Sequence, residues 1–412
     1  MKPNNPKLIF QIFNSSLQRF LNGETLNIKI RPKMSDNIPF ELQAEIIKGV
    51  LPVKSLIRFR SVSKQWKSLI DSSEFITHHT LNQTQPQHLL VRYITRASRF
   101  RFFSDDKCLH EVKYVSIVDD DSFPHHKFSP VVPPTVKLRA HPFMLDCSHG
   151  LVCLHGWSRD RVKRKKLIVL WNPLIRKSVC ISIPDHQRDD VIGFGVCPKT
   201  SDPKIVKITR KAKAKVFTLS SGAWRSVLMN TPFKSLHFRR NTQVVIDGVI
   251  YWLAYDDITD KLRLCSFDLA SEEFGEVVNI NIAVPYYLVG RPRNICMYNI
   301  SKINESLIVL TPNGFCDCNV WMMLKNGVSQ PSFTKLFTLT DVDVDVDSMI
   351  GFRKNGQPII DHSKTRGFDC ELKVYEPCSK RINGLGIYGS AFMMTSYTES
   401  LLLLNHFDSV IQ

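Results

Sequence analysis

The chain lacks any apolar run long enough to cross a bilayer as a helix, so a membrane-spanning segment is not expected. Its eleven cysteines are an odd number and contain no CxxC pair, which argues against a disulfide scaffold or a zinc ribbon. Scattered thiols of this kind suit a reducing compartment, the cytoplasm and/or the nucleus. There is no P-loop, no HExxH and no strand–turn–helix nucleophile elbow, so the enzyme classes built on those motifs find no support, and no cofactor is expected. Acid is scarce in residues 1–33, which carry six basic side chains and one glutamate. There Leu8-Ile9-Phe10 and Ile12-Phe13 are interrupted by Gln11 and Asn14, and no small-residue cleavage site follows, which disfavours a secretory signal. A basic, acid-poor leader leaves a transit peptide as the alternative. The preferred expectation is a poorly ordered extension over 1–33.

With 412 residues, 43% of them apolar and 23% charged, the chain is ordinary globular material but too long for one average domain unless the fold is a large β architecture. The net charge of +17 is localised. Residues 1–33 contribute +5, Arg159–Lys166 contributes +5 and Lys204–Lys215 contributes +6, so the remainder is close to neutral. Nucleic-acid binders show a charged face with stacking platforms or base-reading elements, and that pattern is missing, so no nucleic-acid partner is expected. The two internal stretches read as hairpins, with three roles open: solvated loops, a nuclear-localisation signal in Arg159–Lys166, or a patch for an acidic partner. For the last role the candidates are Arg161, Lys163, Arg164, Lys165, Lys166, Arg210, Lys211 and Lys213.

The sharpest signal runs from Ile38 to Phe75. Pro39 suits a first helical position, with Ser35 or Asp36 to cap it, and Leu42, Ile46 and Ile47 share one face. Gly49 weakens that helix and Leu51-Pro52 ends it. Ser55–Arg60 predicts a second short helix with Leu56 and Phe59 as its apolar side. Ser63 can cap a third, in which Val62, Trp66, Leu69 and Ile70 recur at helical spacing, and Ser72 or Ser73 can open a fourth through Phe75 and Ile76. About forty residues are too few for a self-sufficient core. The segment nevertheless carries more large apolar side chains than such small helices bury among themselves, which predicts a covering partner.

These residues carry a resemblance. Ile38-Pro39, Glu41-Leu42, Glu45-Ile46-Ile47, Leu51-Pro52-Val53-Lys54-Ser55-Leu56, Phe59-Arg60-Ser61-Val62-Ser63-Lys64, Trp66, Leu69-Ile70 and Phe75 together resemble an F-box. The resemblance implies docking on a Skp-type adaptor and, through it, on a cullin-RING ubiquitin ligase. The residues expected to serve that docking are Ile38, Pro39, Leu42, Ile46, Leu51, Pro52, Val53, Leu56, Phe59, Val62 and Trp66, some of which must instead hold the small helices together. The expected helical domain spans 34–80.

From Gln87 the texture changes to strand period, with short Val, Ile, Leu, Phe and Tyr runs between Asp, Asn, Gly, Pro and Ser turns. A weak repeat recurs every 43 to 58 residues or so: Gly150–Leu154 leading to Leu170–Pro173, Ile192–Val196 to Val216–Leu219, Asp247–Trp252 to Ser266–Leu269, Glu305–Leu310 to Val320–Met323, and Ile350–Phe352 to Leu372–Tyr375. That period fits the blades of a β-propeller, six or seven of them over 84–408. Gly150–Leu154, Leu170–Lys177, Ile192–Lys199, Val216–Trp224, Asp247–Leu253 and Ile387–Phe392 resemble the F-box-associated domain of plant F-box proteins, related in layout to F-box/kelch-repeat proteins. The sequence departs from strict kelch repeats in having no Gly-Gly pair in any blade.

Other motifs carry less. Gly384-x-Gly386-x-x-Gly389 has the form of a dinucleotide fingerprint without a βαβ setting and reads as turn glycines between strands. Asp341, Asp343, Asp345 and Asp347 alternate with valine and read as a solvated strand rather than a calcium loop, which needs glycine and convergent ligands. Cys316 and Cys318 read as a reduced pair, and His78-His79 and His125-His126 as surface residues, so no metal is expected. Ser400–Asn405 is a continuous apolar run expected to pair as a strand with His88–Tyr93 and so close the ring. The expected fold is thus a small all-α F-box followed by a large all-β propeller. The resemblance implies a non-catalytic receptor that captures an unknown protein substrate for ubiquitination. The alternative is a propeller scaffold whose F-box acts outside a ligase.

Overall fold

The structure, a computed structural model, describes residues 39–81, 87–96, 110–133, 138–158, 165–187, 189–210, 213–229, 235–239, 242–280, 282, 298–313, 317–324, 331–339, 349–362, 370–406 and 409–411. The chain divides into two compact units, 1–82 and 83–412. Among the described residues no helix is long and apolar enough to cross a membrane.

The first unit contains α1 (Phe40–Val50), α2 (Val53–Phe59), α3 (Lys64–Ile70) and α4 (Ser73–Leu81). Both prolines stand just before their helices: Pro39 and Pro52 take the N-cap position with extended backbone, so α2 starts at Val53 and not at Ser55. α1 runs through Gly49 to Val50 and ends at Leu51-Pro52 as expected, with Leu51 in extended backbone. The Ser63 hydroxyl accepts from Trp66 N at 3.2 Å, and the Ser72 hydroxyl accepts from Phe75 N at 3.2 Å, each supplying an acceptor to an otherwise orphaned helix donor. Because Ser63 is the cap, Val62 falls in the preceding turn and not on the apolar face of α3. A bidentate Arg60–Asp71 pair, at 2.5 and 2.7 Å, ties the turn after α2 to the end of α3.

The second unit is all β. The strands are β1 (His88–Arg96), β2 (His110–Val118), β3 (Lys127–Phe128), β4 (Arg139–Ser148), β5 (Leu151–Trp157), β6 (Lys166–Asn172), β7 (Lys177–Ser182), β8 (Val191–Val196), β9 (Pro203–Ile208), β10 (Ala214–Thr218), β11 (Ala223–Val227), β12 (Leu236–Phe238) and β13 (Val244–Ile246). They continue as β14 (Val249–Asp256), β15 (Lys261–Asp268), β16 (Glu273–Phe274), β17 (Val278–Asn279), β18 (Asn299–Ile303), β19 (Ser306–Asn313), β20 (Asp317–Leu324), β21 (Ser332–Leu339), β22 (Met349–Phe352), β23 (Pro358–His362), β24 (Cys370–Glu376), β25 (Arg381–Tyr397) and β26 (Ser409–Ile411).

The described strands form five sheets, and the seven-stranded one is two blade-like units joined through β25. The first half of β25 pairs with β24 and its second half with β1, the chain turning near Ala391, whose φ is 49°. Among the described residues this gives six blade-like units: β25–β1–β2–β3, β4–β7, β8–β11, β12–β17, β18–β21 and β22–β25. Strands such as β8 and β9 are buried along their whole length because each blade is covered on both faces. Separate apolar cores fill the gaps between neighbours, for example Tyr114, Met144, Val169 and Trp171 between blades one and two, and Leu89, Val115, Leu372 and Phe392 between blades six and one. Two-residue hairpins at His149-Gly150 and Asp247-Gly248 hold both central residues at positive φ, matching the strand twist.

The ring closes through the chain ends, but by other residues than Leu401–Leu404. The register His88↔Tyr397 to Ile94↔Ser390 makes the second half of β25 the partner of β1. Ser400–Asn405 is not a strand: Leu401–Leu404 form a buried turn, with Leu403 at φ 71°. The reason is local, since Asn172 Nδ2 donates to both Ser400 O and Leu402 O at 2.9 Å and so fixes two carbonyls of the turn. Gly150 leaves the room for this passage, because a Cβ there would lie 2.5 Å from Thr398 O. The chain then adds β26 in parallel to the edge of β7. The Gly384–Gly389 motif is also not an interstrand turn: it lies inside β25, with Gly386 at φ 63°.

Candidate functional site

The helical unit sorts its candidate side chains by burial. Leu51, Val53, Leu56 and Trp66 are buried, Leu56 at 0% exposure, and Trp66 stacks against Phe40 and Phe59 at ring distances of 4.7 and 5.2 Å. All four are among the residues named for the adaptor contact, some of which were expected to hold the small helices together instead, and their burial gives these four that second role in the chain. Phe59 is half-buried. Leu42 is 57% exposed and Val62 54% exposed, and Pro39 and Pro52 are exposed as well. Ile38 and the side chain of Ile46 lie outside the described residues. The exposed subset, Leu42, Val62, Pro39 and Pro52, is apolar surface that no described residue covers, the property expected of a docking surface. His79 corrects the surface reading of His78-His79: it is buried in α4, and that burial lowers its pKa.

In the propeller, each inner strand starts beside the end of the second strand, as in the pairs Arg139↔Trp157, Val191↔Ile208 and Leu236↔Asp256. The connection entering a blade and the hairpin between its second and third strands therefore emerge on one face. Described parts of both basic stretches, Lys165-Lys166 and Arg210 with Lys213, lie in such hairpins, β5–β6 and β9–β10, of consecutive blades. They flank the same connection, 183–190. Trp157 stacks edge-on to His186 at 6.1 Å with Lys166 Nζ 5.1 Å from its ring centre, while Arg210 reaches Asp189 at 3.6 Å and Lys215 reaches Asp185 at 3.9 Å. Lys165 and Lys213 are exposed, and burial lowers the pKa of the half-buried Lys166. Arg161, Lys163, Arg164 and Lys211 lie outside the described residues. Leu228 and Ile258, both strongly exposed, sit on connections of the same face.

The stretch Lys204–Lys215 is not uniformly a hairpin. Lys204 and Lys207 are buried on β9, where Lys207 pairs with Asp190 at 3.0 Å and donates to Pro184 O, and Lys204 pairs with Glu272 at 2.6 Å. A central strand leaves its lysines no route to water, so each keeps a carboxylate. Of the remaining motifs, Asp341–Asp347 and Cys316 lie outside the described residues, and Cys318 is a buried thiol whose pKa burial pushes up to about 12. Among the described residues no group of three or more His, Cys, Asp or Glu converges as metal ligands.

Sequence reasoning missed a polar network on the inner strands. Asp146 accepts from Cys147 N at 2.7 Å, Thr395 Oγ1 at 2.8 Å and Gln243 Nε2 at 3.4 Å, while Gln243 brackets the backbone of Phe194 at N and O. Four consecutive blades are thereby joined. Positions 146, 194, 243 and 395 are too far apart in the chain to form a motif, and only the repeat period relates them.

Among the described residues, four short helices with exposed apolar side chains are followed by a ring of antiparallel blades, which defines a two-part class in which a small helical module precedes a propeller. Comparison with known proteins agrees on both parts. The F-box domain matches residues 36–78, and the F-box associated beta propeller domain matches residues 144–412. The chain belongs to the F-box proteins that carry this F-box associated beta propeller domain.

Its relatives include the F-box/kelch-repeat protein At3g23880 of Arabidopsis thaliana, 27% identical over 58% of this chain and 65% of the relative. The F-box protein At5g18160 of the same plant is 29% identical over 59% of this chain and 58% of the relative. A third F-box relative from Arabidopsis thaliana, At1g32420, is 30% identical over 70% of this chain and 86% of the relative. Aligned regions thus span only about 58–65% of the length of the first two.

Proposed function

We propose that this protein is the substrate-recognition subunit of an SCF-type (Skp-cullin-F-box) ubiquitin ligase. The helical unit docks on a Skp-type adaptor through the surface bearing Leu42 and Val62. The propeller captures a protein target, most simply on the face where Trp157, Leu228, Ile258 and the two basic hairpins emerge. The chain performs no bond chemistry in this reading. It raises the effective concentration of a target near a charged ubiquitin-conjugating enzyme, and the transfer to lysine belongs to other subunits. The observation that carries the reading is the pairing of an F-box match with two large aliphatic side chains left more than half exposed on a unit too small to spare them.

The test is copurification of the full chain from plant cells under proteasome inhibition. Recovery of both a Skp-type adaptor and a cullin is the expected result. Recovery of the adaptor without a cullin would assign the chain to a scaffold outside the ligase, and recovery of neither would remove the reading.

A further inference from the structure

The inner strands of five blades, β4, β13, β18, β22 and the second half of β25, line one cavity of about 310 Å³. That is the lower end of the size range of small-molecule sites. Most of its exposed wall is polar, with Asp146, Gln243, Lys302 and Thr395, and the smaller apolar part carries the half-buried Met349, Met393 and Met394. Room on the apolar side is guarded by Gly351, where a Cβ would lie 2.8 Å from Met394 Cε.

The polar groups are not equivalent. Asp146 and Gln243 are engaged in the network that joins the blades, and Asp146 already accepts three hydrogen bonds. Lys302 is different. Its half-buried Nζ donates to Val245 O at 3.2 Å, and among the described residues it has no carboxylate within ion-pair distance. The other buried lysines of the ring, Lys204 and Lys207, each hold one. An ammonium has three donors, so Lys302 keeps two that no acceptor among the described residues takes.

We propose that this cavity binds a small amphipathic anion, with a single carboxylate on Lys302 and an apolar body against the methionine wall. Methionine suits such a wall because its thioether adapts to irregular apolar shapes. Asp146 puts a negative charge on the same lining, so a monoanion fits and a dianion meets repulsion. The carboxylate can come from a free organic acid or from the C-terminus of a bound polypeptide. Neither source depends on adaptor docking, so this site stands or falls separately from the ligase reading.

Calorimetry on the purified full chain tests it with two sets of probes. The first is a series of ω-phenylalkanoates with two to five methylenes and their primary amides. The second is a pentapeptide ending in phenylalanine, as free acid and as amide. At least one acid is expected to bind about tenfold or more tighter than its amide, the difference made by a charge-assisted hydrogen bond. Lys302→Gln, which keeps a donor for Val245 O, should erase that difference, and Lys302→Arg should retain it. Binding confined to the alkanoates assigns the site to free acids, and binding confined to the peptide assigns it to polypeptide termini. Absence of binding in both sets, equal binding of acid and amide, or an acid preference that survives Lys302→Gln overturns the proposal.

Discussion

The helical unit and the propeller treat their apolar residues in opposite ways. Each blade is covered by its two neighbours, so β5, β6, β8 and β9 bury nearly every side chain, and even Lys204 and Lys207 go inside with their carboxylates. The helical unit has about forty residues and cannot do this. It spends Leu51, Val53, Leu56, Trp66, Ile70 and Phe75 on its own core and leaves Leu42 and Val62 in solvent. The lesson is that in the small unit function shows as burial left undone. In the large one the blades cover one another and the strongly exposed apolar side chains, Leu228 and Ile258, stand on loops, so function is to be sought in loops, faces and the central cavity.

The contrast can be broken most severely at Leu56. A charge placed there has no partner and no water, and the truncation to alanine alone costs about 2–5 kcal/mol. Leu56→Asp should therefore unfold α1–α4, seen as loss of amide-exchange protection across residues 40–81, while the propeller keeps its own unfolding transition.

The propeller counterpart is removal of residues 399–412. This deletion leaves β25 in place, so the ring stays closed, but it removes the buried Leu401–Leu404 turn and β26. Several buried leucines at about 1.5–3 kcal/mol each should lower Tm by about 10 °C or more, with the loss of protection greatest in β4–β7. An unchanged Tm would show the tail to be an ornament of blade two.

Acidification should produce a smaller change of one sign in both units. His79, His149, His186 and His406 all have pKa values lowered by burial. Their unfolded counterparts take up protons near pH 6.5 while the folded forms do not. The unfolded state then binds more protons, so stability is fully present above about pH 6.5 and is lost as pH falls below it. Denaturant midpoints at pH 7.5 and 5.5 check this, and His79→Phe should flatten the dependence of the helical transition alone. The smallest effect is chemical: of the described cysteines only Cys378 is exposed, so among those eight it alone should react with iodoacetamide in the native state.

How much was legible followed from whether the cause was local. Ser63 and Ser72 mark helix starts because capping is a matter of neighbouring atoms, whereas Pro52 was legible as the stop of α1 and not as the position before α2. The division of the apolar helix residues into core and surface was not legible, since periodicity identifies a face but not what covers it. Leu56 and Leu42 look alike in the sequence. The same holds for Lys204 and Lys207, which read as solvated cations until β9 is seen as an interior strand. Leu401–Leu404 carries the pattern of a buried strand, and burial was the correct half of that expectation. Its turn depends on Asn172, more than two hundred residues away in the chain. The polar lining at Asp146, Gln243, Lys302 and Thr395 comes together only when the ring closes.

The central claim is that exposed Leu42 and Val62 form the docking surface while buried Leu56 does not. It is tested most directly by measuring the affinity of a purified Skp-type adaptor for the full chain carrying Leu42→Asp or Val62→Asp, with amide exchange over α1–α4 recorded on the same samples. Native protection together with a loss of affinity of about thirtyfold or more, the size of an interface hot spot, is the predicted result. Native protection with unchanged affinity in both variants would contradict the claim.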